Sequence, residues 1–530
     1  MKEGFVVKGF KKKFLSLLLC TGITLISTGL AYADGTFTDL QKLINDDTTG
    51  TITLTQNYTY DYSTDSAAIS ADGVVISKSI TLNGAGHTLD AQGFARVFKI
   101  TGVTDSKKAA LENMIITKGG ADSTASGGGI YIDAANNVDF SNCTITKCGT
   151  EKGIHTSDGG AAIFINNGAI VNFTSCDITE NTGKDRAGGI YIKGIAKFYR
   201  CRVTDNTGGS RGGGVYVDNK SGVANVEMYG CTVSGNKGGR GGGVYVNSEN
   251  KTLNIFKNCT ISGNDVSDNS VGNGGGILFY NACAKLTNCT IVNNKAKYGG
   301  GLILDVESEV QLINCTLAGN KATLDGGGLY AYDGSHPVGQ AMSPVGTADF
   351  TGCIIAGNAL ISGDVEVSQD VIVHYSTNED KDHTYDPSWT ARYDGNFVSD
   401  GYNVLGRVVI KDGAAPSDAP ITLTGTDKSG VEADQVLSFS DGALMLNDNG
   451  GSVKTIAIVK NGNAQNIIPA ASLLVSEDAR GVSRPQGAAG DAGAFELETS
   501  GGSSGGCNSG AVIPLLMFLP LGIVILKKRK

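Results

Sequence analysis

Apolar and polar positions alternate along most of this chain in short bursts, and eight of the bursts share one order: apolar, two others, Cys, one other, apolar. They run Phe140 to Ile145, Phe173 to Ile178, Phe198 to Val203, Met228 to Val233, Phe256 to Ile261, Leu286 to Ile291, Leu312 to Leu317 and Phe350 to Ile355. Five residues past the Cys stands Asn181, Asn206, Asn236, Asn264, Asn294, Asn320 or Asn358; in the first copy Cys148 takes that place. Each unit carries a second mark, a glycine cluster leading into a short apolar run. The first is Gly127-Gly128-Gly129-Ile130-Tyr131-Ile132, and later runs end at Ile165, Ile192, Val217, Val246, Phe279, Leu304 and Ala331. Both marks have strand length and strand alternation, and nothing inside a unit has helical spacing. The Cys residues are 33, 25, 30, 28, 30, 26 and 38 apart, so one strand-bearing unit recurs with loops of differing length. The pattern predicts an all-β fold, a right-handed single-stranded parallel β-helix with one coil per unit.

Stacked coils bring equivalent positions about 4.8 Å apart along one axis. Phe, Cys and Ile then form interior columns, while an Asn at the corner hydrogen-bonds its own copies and satisfies turn backbone that no sheet reaches. Side chains stacked in parallel hold their Cβ atoms at about that same spacing, beyond the roughly 3.5–4.5 Å of a disulfide. The column cysteines therefore read as small buried hydrophobes. Cys148 and Cys283 lie off the column, and their pairing is open.

Ahead of the repeats, Thr38 to Asp46 reads as a short amphipathic helix with Leu40, Leu43 and Ile44 on one side, placed to cap the open end of the coil stack. The chain divides into residues 1–33, an N-terminal cap and first coils over 34–100, repeats over 101–360, a β-rich extension over 361–498, a Gly/Ser linker over 499–510 and an apolar segment with a basic end over 511–530.

Composition narrows the class. With 76 Gly but only 9 Pro in 530 residues the chain is no collagen, and 40% hydrophobic residues exclude a disordered one. Between Asp34 and Leu526 it carries 34 basic and 51 acidic side chains, a balance that argues against nucleic acid as a partner. The basic residues are concentrated at the ends. Lys11-Lys12-Lys13, an apolar run from Phe14 to Leu30 and Ala31-Tyr32-Ala33 have the three parts of a secretory signal, with cleavage by signal peptidase expected after Ala33. At the other end Gly506-Cys507 precedes the apolar run Ala511 to Leu526 and four basic residues. Sixteen residues at about 1.5 Å each reach roughly 24 Å, short of a bilayer core of about 30 Å, so the segment reads either as a marginal transmembrane tail anchor with its basic end cytoplasmic or as a transient sorting signal. The expected location is the cell surface or outer envelope, anchored through the C-terminus.

Three resemblances sit on these features. The Gly-Cys motif, apolar run and basic end are similar to the Synergist-CTERM sorting tail, which implies a membrane protease acting near Cys507. The glycine-cluster and Phe-containing marks, with the opening stretch Gly84-Ala85-Gly86-His87-Thr88-Leu89-Asp90, resemble the repeats of polymorphic outer-membrane and adhesin-like proteins. The stretch Gly401-Tyr402-Asn403-Val404, then Asn447 to Gly451, Asp478-Ala479-Arg480-Gly481, Arg484-Pro485-Gln486-Gly487 and Asp491 to Glu496 resembles the choice-of-anchor Q domain of bacterial surface proteins. That resemblance implies an anchoring role and no activity.

Two columns are the candidate glycan-contacting groups. Arg186, Arg211 and Arg240 stand at one equivalent position of consecutive units, either as a site for acidic sugars or as partners of nearby Asp185 and Asp205. Tyr131, Phe164, Tyr191, Tyr216 and Tyr245, resuming at Tyr330, occupy the middle of the glycine-led strands and face outward by alternation, as an exposed stacking platform or as a strip under loops. No catalytic constellation emerges. Secreted β-helix lyases need clustered carboxylates for Ca²⁺ and a basic proton acceptor, whereas the acidic residues here are spread over the loops. His374, His383, Asp380, Asp382 and Asp386 form the densest ligand-like group and read as a solvated loop, so neither metal nor cofactor is expected. The leading expectation is a non-enzymatic surface β-helix protein contacting glycans or other cells; the alternative is a surface polysaccharide lyase or glycoside hydrolase.

Overall fold

A computed structural model describes residues 34–498 except 104–106, 121–125, 150–159, 161, 221, 333–345, 375–396 and 412–420. Three long parallel sheets form the walls of a right-handed coil stack, with 13, 12 and 12 strands among the described residues. The Phe sheet runs from Thr51–Thr53 to Ile421–Thr422, the Cys sheet from Tyr58–Thr59 to Val404–Leu405, and the Tyr sheet from Val74–Ile76 to Val408–Lys411. Strands pair in register from coil to coil, as Phe140↔Phe173↔Phe198↔Met228 shows. The interior columns are as the spacing predicts. Phe140, Phe173 and Phe198 stack at 5.1 and 4.7 Å between ring centroids, and all eight column cysteines are buried and unpaired.

The asparagines form a continuous rail. Each Oδ1 accepts the backbone N–H and the side-chain amide of the Asn one coil earlier, for instance Asn236 N and Nδ2 onto Asn264 Oδ1 at 3.0 and 2.9 Å. Each Nδ2 also donates to a strand carbonyl, Val233 O in the case of Asn264. The rail opens at Cys148, whose N–H donates to Asn181 Oδ1, and closes on the buried carboxylate of Asp370, which accepts from Asn358 N and Nδ2. Cys148 thus occupies the Asn position of the first repeat. Burial pushes its thiol up to about 12. Cys283, also unpaired, is half-buried. Of the ten cysteines in the described region, Cys283 is expected to alkylate alone in the native protein and all ten in denaturant, which peptide-level mass spectrometry would read; native labelling of Cys201 or Cys231 would contradict the buried column.

The coils run on past residue 360, where the Cys pattern stops. Phe397–Gly401, Val404–Leu405 and Val408–Lys411 extend all three sheets, with Asn403 standing where the next Cys would be and donating to Phe350 O. A fourth, smaller sheet of Lys295–Tyr298, Lys321–Asp325, Ala359–Ser362 and Val365–Ser368 flanks the stack.

The N-terminal helix α1 spans Phe37–Asp46 and starts in a capping box between Thr36 and Asp39. Phe37, Leu40 and Ile44 are buried, whereas Leu43 is 39% exposed, because the helix begins one residue earlier and its apolar face turns toward Phe37. Gln41 supplies what the open edge lacks: its side-chain amide accepts from Val75 N at 2.6 Å and donates to Val75 O at 3.0 Å, standing in for a strand.

From about residue 430 the chain turns back along the outer face of the Cys sheet. Val436, Leu437, Ile456, Ile458 and Phe495 pack on Val292, Ala318, Ile354 and Ala356. The motif residues near the end form a buried ionic cluster. Arg484 pairs with Glu496 at 3.0 Å, both nearly inaccessible, and Arg480 pairs with Asp478 at 2.7 Å with its guanidinium 3.8 Å from the centroid of the Phe495 ring. Asn314 Nδ2 to Asp491 O and Ala494 N to Thr316 Oγ1 fasten this cluster to the coils.

Candidate functional site

The two columns singled out from the sequence belong to one strip on the outer side of the Tyr sheet. Each arginine lies on the glycine-rich turn that leads into its strand, five residues before the tyrosine of that coil, and the turn folds back over the ring. Arg186 donates to Tyr191 Oη at 2.6 Å and Arg211 to Tyr216 Oη at 3.2 Å, each with its guanidinium over the ring. The glycines permit this closeness: at Gly212 (φ +57°) an added Cβ would lie 2.7 Å from Tyr216 Cβ.

Alternation therefore places the aromatics outside the main core, as expected, but not in water. Tyr191 and Tyr216 are 0% exposed, Tyr330 1% and Tyr245 2%, while Tyr131 is partly buried. With Phe164, Leu278, Ile303 and Ile372 they form a second hydrophobic column, stacked at 5.0 and 5.1 Å from Tyr191 through Tyr216 to Tyr245. Of the two readings of the aromatic strip, the covered one holds for Tyr191, Tyr216, Tyr245 and Tyr330, which offer no open face for a sugar ring.

The arginines divide. Arg186 also lies 3.8 Å from both Asp185 and Asp218, and Arg211 is spent on Tyr216. Arg240 makes no side-chain hydrogen bond or ion pair among the described residues and is only partly buried. Beside the tyrosines runs a row that the sequence reading missed, Asp218↔Asn247↔Tyr280↔Asp305 on consecutive strands. Asp218 Oδ2 accepts from Tyr191 Oη at 2.6 Å. Its Oδ1 and that of Asn247 are buried without a hydrogen-bond partner. Burial first, then the Asp218 carboxylate, holds the Tyr191 phenol well above its ordinary value, so it stays a donor at neutral pH and braces the strip. The row was legible only as the residue two past each column tyrosine, a position whose identity changes from coil to coil.

Among the described residues no group of three or more His, Cys, Asp or Glu could hold a metal ion. The side chains of the His374 group, and Ala33, Gly506 and Cys507 with both terminal segments, lie outside the described residues; among the described ones no helix is long and apolar enough to cross a membrane. Of the groups along the strip, the Arg240 guanidinium is the one both partly exposed and without a side-chain partner among the described residues, a donor suited to a carboxylate.

Residues 101–256 and 238–369 match the family model described as right handed beta helix region, together a little over half of the chain. The chain belongs to the right-handed β-helix family. Residues 35–151 of this β-helix protein are similar to the putative pectate lyase-like adhesive domain. No curated protein matches the chain.

Proposed function

We propose that this is an exported, envelope-anchored, adhesin-like β-helix protein that contacts surface glycans or other cells and carries out no catalysis. The observation that carries the reading is the adhesive-domain match over residues 35–151, which the β-helix match overlaps from residue 101 and continues to residue 369. The signal-like N-terminus and the tail with Cys507 fit display on the surface, and the motifs from Gly401 to Glu496 fit a choice-of-anchor Q region ahead of a Synergist-CTERM-like tail. On this reading signal peptidase cuts after Ala33 and a sorting protease acts at Gly506-Cys507. Replacing Cys507 by Ala is then expected to leave an unprocessed, poorly displayed protein, scored by protease shaving of intact cells.

Glycan contact along the Tyr sheet would fall to Arg240, since Arg186 and Arg211 have partners and the Asp218 and Asn247 oxygens are buried. The purified ectodomain is expected to be retained by immobilised uronate polymers, and Arg240→Gln to weaken retention about tenfold, the scale of one charge-assisted hydrogen bond. Release of unsaturated products from the same polymers would replace this reading with the lyase alternative. No retention by any polymer would remove glycan contact.

A further inference from the structure

A second outward face, on the Phe sheet, carries a feature that the Tyr-sheet strip does not. Two rows face away from the buried Phe140, Phe173 and Phe198. One is Glu112↔Ser141↔Thr174↔Tyr199↔Tyr229↔Lys257, and the other is Asp139↔Asn172↔Lys197↔Glu227. Tyr199 and Tyr229 stack at 5.2 Å with their planes 8° apart, and Tyr199 is 38% exposed.

Stacked along the axis, the pair stands up from the sheet like a low wall. Tyr229 is fixed from behind: its hydroxyl donates to Glu227 Oε2 at 2.8 Å, and Glu227 Oε1 pairs with Lys197 at 3.0 Å. The hydroxyl of Tyr199 and the guanidinium of the adjoining Arg200 make no hydrogen bond or ion pair among the described residues. On the side of Tyr199 away from Tyr229 the next two positions are Thr174 and Ser141, both small, and the row rises again only at Glu112. The gap from Tyr199 to Glu112 covers three strand spacings of roughly 4.8 Å each. Its flank is polar and already ordered, with Asn172 Nδ2 donating to Asp139 Oδ1 at 2.9 Å.

We propose that this slot binds a pyranose ring of a polysaccharide, stacked on the free face of Tyr199 over Thr174 and Ser141, with Asn172, Lys197 and Arg200 reaching its hydroxyl or carboxylate groups. The chemistry of the slot selects the ligand. A held aromatic face matches the apolar C–H face of a sugar, and amide, ammonium and guanidinium groups at its margin match the oxygens around the rim. A peptide strand has no free sheet edge here, since each of these strands is paired on both sides. Elsewhere in the row Thr, Ser and Lys serve the fold equally well, so two consecutive outward tyrosines, Tyr199 exposed and Tyr229 partly buried, are not a demand of coil stacking.

The proposal rests on the glycan-contacting reading of the protein but on a face that excludes Arg240, so the two fail separately. The test is affinity electrophoresis of the ectodomain through gels containing hydroxyethylcellulose or polygalacturonate, with Tyr199→Ala, Tyr199→Phe, Thr174→Tyr and Arg240→Gln beside the unaltered protein. Retardation is expected to fall about tenfold for Tyr199→Ala, to survive in Tyr199→Phe, and to vanish in Thr174→Tyr, which fills the slot while adding only surface bulk. Retardation in the uronate gel alone, reduced by Arg200→Gln, identifies an acidic sugar; retardation in both identifies a neutral ring contact. If Tyr199→Ala and Thr174→Tyr are retarded like the unaltered protein, the slot is not a binding site, and loss in Arg240→Gln alone places glycan contact on the Tyr sheet. If the unaltered protein is retarded in neither gel, the slot proposal falls with it.

Discussion

Asn264→Leu is expected to cost about 4 kcal/mol or more of stability and to lower the urea midpoint accordingly. The substitution keeps the branching of the side chain but is apolar and bulkier, in a site that is 0% exposed, so methyl groups standing at hydrogen-bond distance from their neighbours add some crowding to the main loss. The main loss is four severed hydrogen bonds: Asn236 N and Nδ2 lose their acceptor, and Val233 O and Asn294 Oδ1 lose a donor. Each buried polar group left unpaired costs roughly 1–3 kcal/mol, and the low dielectric of the interior keeps that cost high. Asn264→Asp is expected to be no milder: it keeps the acceptor for Asn236 but turns a buried carboxylate oxygen toward Val233 O and Asn294 Oδ1, which are themselves acceptors. An Asn264→Leu protein with an unchanged midpoint would show that the rail is ornament on a stack held by its apolar columns.

Arg484→Met is expected to release the C-terminal region from the Cys sheet. Arg484 donates to Glu496 Oε2 at 3.0 Å, to Asp491 O at 2.5 Å and to Gly493 O at 2.6 Å, and its removal strands a carboxylate that is 1% exposed. Breaking a buried pair from one side typically costs about 3–5 kcal/mol. The coils should survive, because their ladders do not pass through this cluster. Limited proteolysis is therefore expected to cut within residues 430–498 while leaving the stack before them resistant, and Val292, Ala318 and Ile354 to become accessible to a hydrophobic dye. Uniform resistance in Arg484→Met would mean that apolar contact alone holds the region down.

The coil stack was readable because a ladder demands the same solution at every level. From Cys143 to Cys353 every level fills the Cys position with the same small buried side chain, and only an amide can both accept from one neighbour and donate to the next, so Cys and Asn recur whatever the loop length. The Tyr column was placed on the outer side with its exposure left open, since alternation fixes which side of a sheet a residue faces and says nothing about what lies over it. Its cover is the glycine turn, and its partner is the arginine five residues earlier; the columns looked separate only because a contact between them requires the turn to fold back. The docking of residues 430–498 did leave a trace. One outward row of the Cys sheet changes from Thr146, Thr179 and Thr204 to Val292 and Ala318, and the other from Thr144, Asp177 and Arg202 to Ile354, but a reading led by the Cys motif passes over its neighbours. Tyr199 and Tyr229 were equally plain in the sequence and drew no notice, because they sit beside Phe198 and Met228, whose burial dominates the pattern.

Sulfur positions offer the most direct test of the stacked columns. Anomalous diffraction from crystals of the protein is expected to show the Sγ atoms of Cys143, Cys176, Cys201, Cys231, Cys259, Cys289, Cys315 and Cys353 as one file of unlinked peaks, spaced by about the 4.8 Å of neighbouring parallel strands. Peaks merged in pairs at disulfide distance, or scattered without a common line, would contradict the account.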